Sequence, residues 1–317
     1  MSSPSSPAPT AFLLLANAGA GSADRAAVET ARAALASGGA DVELVSTAGP
    51  DELDRVLDRV DGRRLVVAGG DGSLHLVVQR LHQRGELRDA GLALVPLGTG
   101  NDLARSLGIP LEPEAAGELA RSGRPYALDL VVDDTGSTVV NAVHVGIGAQ
   151  AARAAAGLKP RMGPAAYPVG AVVAGVRAQG WRLRVEVDGR VITRGRRRVL
   201  MVGVGNGPGI GGGTPLAPHA RPDDGLLDVV VSLATSPLAR ARFGVALRSG
   251  QHLSSPHVRS ARGRAVTVTG GPAPVNADGE LGEQLSARTW RVEPAGWALV
   301  RPAPDRVAGG AAGTAAP

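Results

Sequence analysis

The chain has no cysteine, so it can build neither a disulfide nor a thiolate metal site. That suits a reducing compartment. Aromatic residues are scarce, with three Trp, two Tyr and two Phe, too few for base-stacking platforms on single-stranded nucleic acid. Lysine is almost missing: Lys159 stands alone among 34 basic residues. There is no G-x-x-x-x-G-K-[ST] loop, and most lysine-dependent phosphate clamps go with it. The six histidines show no metal spacing, and no G-x-S-x-G elbow supports hydrolase chemistry. Long apolar runs are lacking too. Phe12-Leu13-Leu14-Leu15 is far too short for a signal core or a membrane span. The expected location is therefore cytoplasmic.

What is present is glycine, 45 residues of it among 317. The length suits two ordinary domains or one large one, and a hydrophobic content of 44% is globular. Two glycine turns carry most of the information. Gly69-Gly70-Asp71-Gly72-Ser73 follows the apolar run Leu65-Val66-Val67-Ala68. Gly98-Thr99-Gly100-Asn101-Asp102 follows Leu92-Ala93-Leu94-Val95-Pro96-Leu97. Each reads as strand, turn, helix, a geometry that bares backbone N–H groups to a phosphate. A third glycine turn, Asn17-Ala18-Gly19-Ala20-Gly21-Ser22, follows the strand at 12–16. Each of the first two loops also carries an aspartate where a magnesium-bound phosphate needs one. The plainer account is a tight turn with an aspartate capping the next helix.

Residues 11–129 alternate strand and helix, with helices expected at 22–36 and around Leu53, Val56, Leu57 and Val60. Uninterrupted apolar strands between helices predict a parallel sheet covered on both faces, with ligands at the carboxyl ends of its strands. After Asp129 the pattern changes. Strands are predicted at 181–187, 190–193, 199–204, 226–233, 265–269 and 290–292, with an Asp188-Gly189 hairpin turn. Helices are expected only at 158–179 and 238–248. The fold class is thus an α/β N-terminal domain with a parallel sheet and helices on both faces, plus a mostly antiparallel β C-terminal domain, the active site lying in the cleft between them. The expected division is a disordered tail at 1–10, a nucleotide-binding domain at 11–129, a β-rich domain at 130–301 and a disordered tail at 302–317.

Net charge is +5, nearly all from arginine, which suits codon bias. The dense run at 194–198 is either a solvated strand end or a surface for anionic lipid headgroups, which fit better than nucleic acid.

These motifs are recognisable together. With Asn206-Gly207, Gly211-Gly212-Gly213, Ala217-Pro218, Pro222-Asp223-Asp224-Gly225-Leu226-Leu227-Asp228 and Asn276-Ala277-Asp278-Gly279-Glu280, the chain resembles the diacylglycerol kinase catalytic domain family, and within it the soluble bacterial lipid kinases. The match runs from Asn17 to about residue 283. Gly-Gly-Asp-Gly alone is shared with NAD kinases and phosphofructokinases, whereas its pairing with Gly-Thr-Gly-Asn-Asp and a late Asp-Gly-Glu is much more specific. Ser73 stands where the family has threonine, His75 where asparagine is common, and an aspartate often found near Gly148 is missing.

The resemblance implies an ATP-dependent kinase that phosphorylates the hydroxyl of diacylglycerol to phosphatidic acid, with ATP and Mg2+ as cofactors. It implies nucleotide contacts from Asn17, Gly19, Gly21, Thr47, Gly69, Gly70, Asp71, Gly72, Ser73, His75, Gly98, Thr99, Gly100 and Asn101. Asp71, Asp102 and Asp129 would form a carboxylate network around magnesium. For Asp129, flanked by Leu128 and Leu130, burial in an apolar strand demands a partner or a metal. Asp224, with the backbone carbonyls of Arg221 and Leu226, resembles a structural magnesium site; the plainer account is a β-turn at Asp223-Asp224-Gly225, and the two can both hold. Glu280 would be the catalytic base with Asp71 as its catalytic partner; read on its own residues, Glu280 is a solvated turn acid. The implied partner is a lipid at a membrane surface, met peripherally at the inner face, with no nucleic acid; a homodimer stays open. The segment 158–179 would lie near the lipid side or simply pack on the β domain. The alternatives are a kinase of another lipid alcohol of the sphingoid-base type, an NAD kinase, or a non-catalytic nucleotide- or lipid-binding regulator.

Overall fold

The computed structural model describes residues 9–17, 21–47, 49–150 and 180–303. Gly19, the expected helix at 158–179, and most of both expected tails lie outside the described residues.

The first half follows the predicted alternation. In order come β1 (Ala11–Asn17), α1 (Ser22–Ala36), β2 (Asp41–Thr47), α2 (Pro50–Leu57), β3 (Arg64–Gly69), α3 (Asp71–Gln83), β4 (Leu92–Pro96), α4 (Asp102–Ser106) and α5 (Pro113–Ser122). β2, β1, β3 and β4 lie side by side in that order, all parallel. Alternate residues of each strand face opposite sides, and both sides are dry. Leu13, Leu15, Leu65, Val67, Leu92 and Leu94 meet the apolar faces of α2 and α3. Phe12, Leu14, Val66, Ala93 and Val95 meet α1 and α5. This two-sided burial is why these strands read as unbroken apolar runs rather than alternating ones.

The second half comprises β5 (Arg124–Asp133), β6 (Thr138–Val139), β7 (Ala142–Gly146), β8 (Leu183–Val187), β9 (Arg190–Arg194), β10 (Met201–Gly205), β11 (Leu227–Ser232), α6 (Pro237–Arg248), β12 (Val258–Gly263), β13 (Ala265–Ala273), β14 (Val275–Ala277), β15 (Glu280–Leu281) and β16 (Leu285–Arg301). β12, β11, β10, β7, β14 and β15 form a six-stranded antiparallel sheet. It packs on β8, β13 and β16 through a valine-rich core that includes Val145, Val202, Val231, Val185, Val268 and Trp290.

The two halves share one sheet. β16 pairs with β13 and β5 in antiparallel fashion and also meets β4 at Leu299–Leu92, giving ten strands among the described residues. The last strand of the chain thus returns to the first half, and the expected boundary after Asp129 falls inside β5. Only 290–292 was expected as strand here. β16 is longer because it runs through Pro294-Ala295-Gly296 as a bulge, with Ala295 at φ 51°, and then resumes pairing at Trp297.

Candidate functional site

The parallel strands deliver the expected loops to one edge. Asn17 and Thr47 sit opposite each other as the last residues of β1 and β2, and Gly69 pairs with Pro96 at the ends of β3 and β4. Gly21 caps α1, its N–H donating to Asp24.

The two central loops touch through bare backbone. A Cβ on Gly98 would lie 2.5 Å from Gly70 Cα, and one on Gly70 would lie 2.9 Å from Gly98 Cα. A Cβ on Gly69 would strike Ser73 at 2.6 Å, while Gly72 faces open space. Asn101 adopts the left-handed conformation at φ 50° and closes its own turn: Gly98 N–H donates to its Oδ1 and its Nδ2 donates to the Gly98 carbonyl. The first intrahelical bond of α3 is Leu74 N–H to Gly70. The amides of Asp71, Gly72 and Ser73 therefore point out of the helix end without intrahelical acceptors, ready for an anion.

Asp71 does not cap its own helix. Its carboxylate accepts N–H bonds from Asp102 (3.0 Å) and Leu103 (3.2 Å), so it caps α4 across the loop. Asp102 in turn accepts from Gly212 and Gly213 of the second half at 2.7–3.0 Å. Gly100 lies between the two carboxylates, where a Cβ would be 3.2 Å from Asp71 and 3.5 Å from Asp102. Burial first, and then the charge of Asp102, push the Asp71 carboxyl up against the pull of its amide donors. A divalent cation beside this pair would relieve both; the Asp71 carboxylate and Asp102 Oδ2 keep lone pairs for it, whereas Asp102 Oδ1 is filled by the Gly212 and Gly213 amides. Asp71 and Asp102 thus fit magnesium.

Asp129 does not join them. One of its oxygens accepts from Gly225 and the other from Ala295, so it is the buried brace that holds the β16 bulge against the loop at 222–225. The need for a partner in that apolar strand is met by backbone amides. Among the described residues no three His, Cys, Asp or Glu converge as a metal cluster.

The expected second magnesium site is likewise changed. Asp224 accepts from Leu226 N–H and forms an ion pair with Arg262, which also reaches Asp228 at 3.0 Å. A guanidinium thus sits on the carboxylate that magnesium would use, so Asp224 as placed does not fit the ion. Arg262→Ala is expected to cost about 1 kcal/mol, the scale of an exposed pair. Freed of that cation, Asp224 and Asp228 should give a Mg2+-dependent rise in melting temperature larger than that of the wild type; thermal melts of both proteins with and without Mg2+, without nucleotide, check it.

Glu280 opens β15 after an Asp278-Gly279 turn in which both residues have positive φ, 47° and 90°. Asp278 faces inward. Its carboxylate accepts N–H bonds from Val140, Asn141 and Ala142 at 2.7–3.0 Å. Burial pushes it up while His75 and those amides pull it down, with burial dominant. Glu280 faces outward, its side chain 65% exposed, 3.8 Å from His75 Nδ1.

His75 was expected among the nucleotide contacts, but neither ring nitrogen turns that way. Nε2 donates to the Thr138 carbonyl at 2.9 Å and Nδ1 faces Glu280. Burial opposes its charge, but Glu280, Asp278 and the Thr138 carbonyl outweigh it and raise the pKa to about 9. The His75 cation holds the Glu280 carboxyl below its usual range. His75 is therefore charged at neutral pH beside Glu280 and loses its proton only as pH rises through about 9. His75→Asn should move the acid limb of kcat/KM upward as Glu280 returns to an ordinary carboxylate value, and should remove the alkaline limb near pH 9. A pH profile of both proteins reads this, and an unmoved profile would contradict it.

Three partnerships escaped the sequence reading: Gly212 and Gly213 with Asp102, His75 with Glu280, and Arg262 with Asp224. Only His75 left a usable signal. It lies four residues after Asp71 on α3, hence on the same helix face.

Comparisons with known proteins agree with this architecture. Residues 11–132 match the family model described as the diacylglycerol kinase catalytic domain, and residues 141–301 the YegS C-terminal NAD kinase beta sandwich-like domain. A Stenotrophomonas maltophilia protein named "Probable lipid kinase YegS-like" is 36% identical over 241 residues, covering 72% of this chain and 75% of its own. A Pseudomonas aeruginosa protein of the same name is 36% identical over 250 residues, covering 76% and 80%. The crystal structure of a diacylglycerol kinase from Bacillus anthracis str. Sterne superposes with a TM-score of 0.68 at 18% identity, over 93% of this chain and 97% of that one. Another structure from that strain reaches 0.75 at 21% identity, over 93% and 98%.

Proposed function

Since the chain belongs to the lipid kinases that join a diacylglycerol kinase catalytic domain to a YegS-type C-terminal domain, we propose that it transfers the γ-phosphate of ATP to the hydroxyl of diacylglycerol, giving phosphatidic acid and ADP. One observation carries this reading. Asp71 and His75 lie on the same face of α3, four residues and so about 6 Å apart along its axis. Asp71 belongs to the phosphate loop and His75 faces Glu280. A single helix turn therefore links the loop suited to the triphosphate with the carboxylate suited to the alcohol.

The amides at the start of α3 and the turn closed by Asn101 hold the phosphates. Magnesium at Asp71 and Asp102, when bound, supplies charge neutralisation there. Glu280, kept ionised by His75, accepts the proton of the lipid hydroxyl while that oxygen bonds to the γ-phosphorus and the bond to the bridging oxygen breaks. Asp278 fixes the turn from which Glu280 projects. The Asp102 contacts to Gly212 and Gly213 tie the nucleotide side to the β-rich half. No described helix is long and apolar enough to cross a membrane, so the lipid would be met at a surface.

The test is an acceptor assay with labelled ATP, Mg2+ and mixed micelles, with diacylglycerol, a sphingoid base and NAD in parallel. Labelled phosphatidic acid is the expected product. A labelled sphingoid phosphate would change the acceptor, labelled NADP would overturn the lipid reading, and ATP binding without transfer would favour a regulator.

A further inference from the structure

The dense arginine run has a structural counterpart that the transfer site does not use. The connection from β9 to β10 and the start of β12 line two adjoining cavities of about 400 and 430 Å³. Arg197, Arg259 and Leu233 border both, Arg194 and Arg196 the first, and Arg198 the second. Among the described residues no acidic side chain lines either one. Arg259 is anchored on the Ile192 carbonyl (2.6 Å) and Arg198 on the Gly180 carbonyl (2.8 Å), which fixes the walls. Arg194, Arg196 and Arg197 are exposed and form no ion pair among the described residues. So much unpaired like charge in one concavity raises the local anion concentration.

The adjoining helix adds an apolar element. Thr235 borders the second cavity, and α6 begins two residues later. Phe243 is buried, with Ala239 and Leu247 packed on the same side. The opposite face holds Leu238, 62% exposed, Val245, 73% exposed, and Arg242 between them. The helix contains no acidic residue. Apolar side chains interleaved with arginine on one exposed face suit the boundary between headgroups and acyl chains.

We propose that the β9–β10 arginines and the outer face of α6 together form a docking surface for an anionic phospholipid bilayer. This surface lies at the Met201 end of β10. The Gly205 end pairs with Ala142, where the Asp278 turn docks, roughly 14 Å away at strand spacing. The arginines take the phosphates of the headgroups, and Leu238 and Val245 enter the acyl boundary. A soluble phosphate would use the arginines but leave the two apolar side chains without a role, and a nucleic acid would find no Phe, Tyr or Trp platform among the described residues of either cavity. The proposal deepens the lipid-kinase reading, on which it rests for the reason that a bilayer is met at all.

The test is co-sedimentation of the full chain with phosphatidylcholine vesicles, with and without a phosphatidylglycerol fraction. Wild type should bind only the anionic vesicles, and less as salt rises. Arg196→Ala with Arg197→Ala should weaken binding about 30-fold. Leu238→Ser with Val245→Ser should weaken it about tenfold. Thermal melts and ATP affinity of both double variants should match wild type. Equal binding to neutral vesicles, or an arginine variant that binds as wild type does, would overturn the proposal. So would inorganic phosphate raising the melting temperature through Arg196 and Arg197 with no vesicle binding. Sedimentation needs no turnover, so a protein that binds vesicles but phosphorylates no lipid fails the functional reading alone. One that phosphorylates dispersed lipid yet binds no vesicle fails this proposal alone.

Discussion

Glu280→Gln is expected to lower kcat about a thousandfold with little change in the apparent affinity for ATP. The substitution keeps the shape of the side chain and removes its ability to take a proton, a contribution of about 10² to 10⁴ in related chemistry. Glu280 is exposed and projects from a two-residue turn, so the fold has little stake in its charge. The turn is held by Asp278, whose carboxylate gathers three backbone amides and stays in place. A structural role would predict the opposite pair of results, with lower melting temperature and preserved kcat. Initial rates of product formation over a range of ATP, with a thermal melt on the same sample, distinguish them. A rate within tenfold of wild type would remove Glu280 from the chemistry.

Gly98→Ala is expected to abolish nucleotide binding while the chain still folds. The added methyl would sit 2.5 Å from Gly70 Cα and 2.8 Å from Asn101 Oδ1. The first of these is backbone and cannot rotate away, so the two loops must part. Overpacking of this kind costs about 1–3 kcal/mol. The larger consequence is geometric. Parting the loops shifts Asp102 and Leu103 from the Asp71 carboxylate and moves the N–H groups at the start of α3 out of register with the second loop. Gly72→Ala provides the contrast, since its methyl would meet nothing within 4 Å. ATP titration by calorimetry should find no binding for Gly98→Ala and retained fold by circular dichroism. Normal ATP affinity in that variant would show that the close approach is not part of the phosphate site.

How much of this was legible beforehand depended on how local the physics was. β1, β3 and β4 were readable because both faces are buried and the strands become solid apolar runs. The hairpin turn at Asp188-Gly189 was readable because two adjacent positive φ values, 47° and 76°, demand such residues. β16 was only partly readable. Pro294-Ala295-Gly296 has the composition of a chain reversal, and what keeps the strand going is the distant Asp129, which takes the Ala295 N–H.

The candidate site divides the same way. The loops were visible because glycine, aspartate and preceding strand lie within a few residues of each other. The partners of the carboxylates were not. Asp102 is held by Gly212 and Gly213, more than a hundred residues away in the chain, and Asp224 by Arg262. Spacing says nothing about such contacts. Asp129 is the instructive case: burial of a carboxylate between Leu128 and Leu130 correctly required compensation, but two backbone amides supply it where magnesium was expected.

The proposed transfer requires the paired glycine loops to hold a triphosphate with its γ-phosphorus turned toward Glu280. A crystal structure with a non-hydrolysable ATP analogue and Mg2+ tests it most directly. Phosphate oxygens should lie on the amides of Asp71, Gly72 and Ser73, and the γ-phosphorus should be separated from the Glu280 carboxylate by no more than the width of one alcohol. Empty loops, or a nucleotide whose γ-phosphorus points away from Glu280, would contradict it.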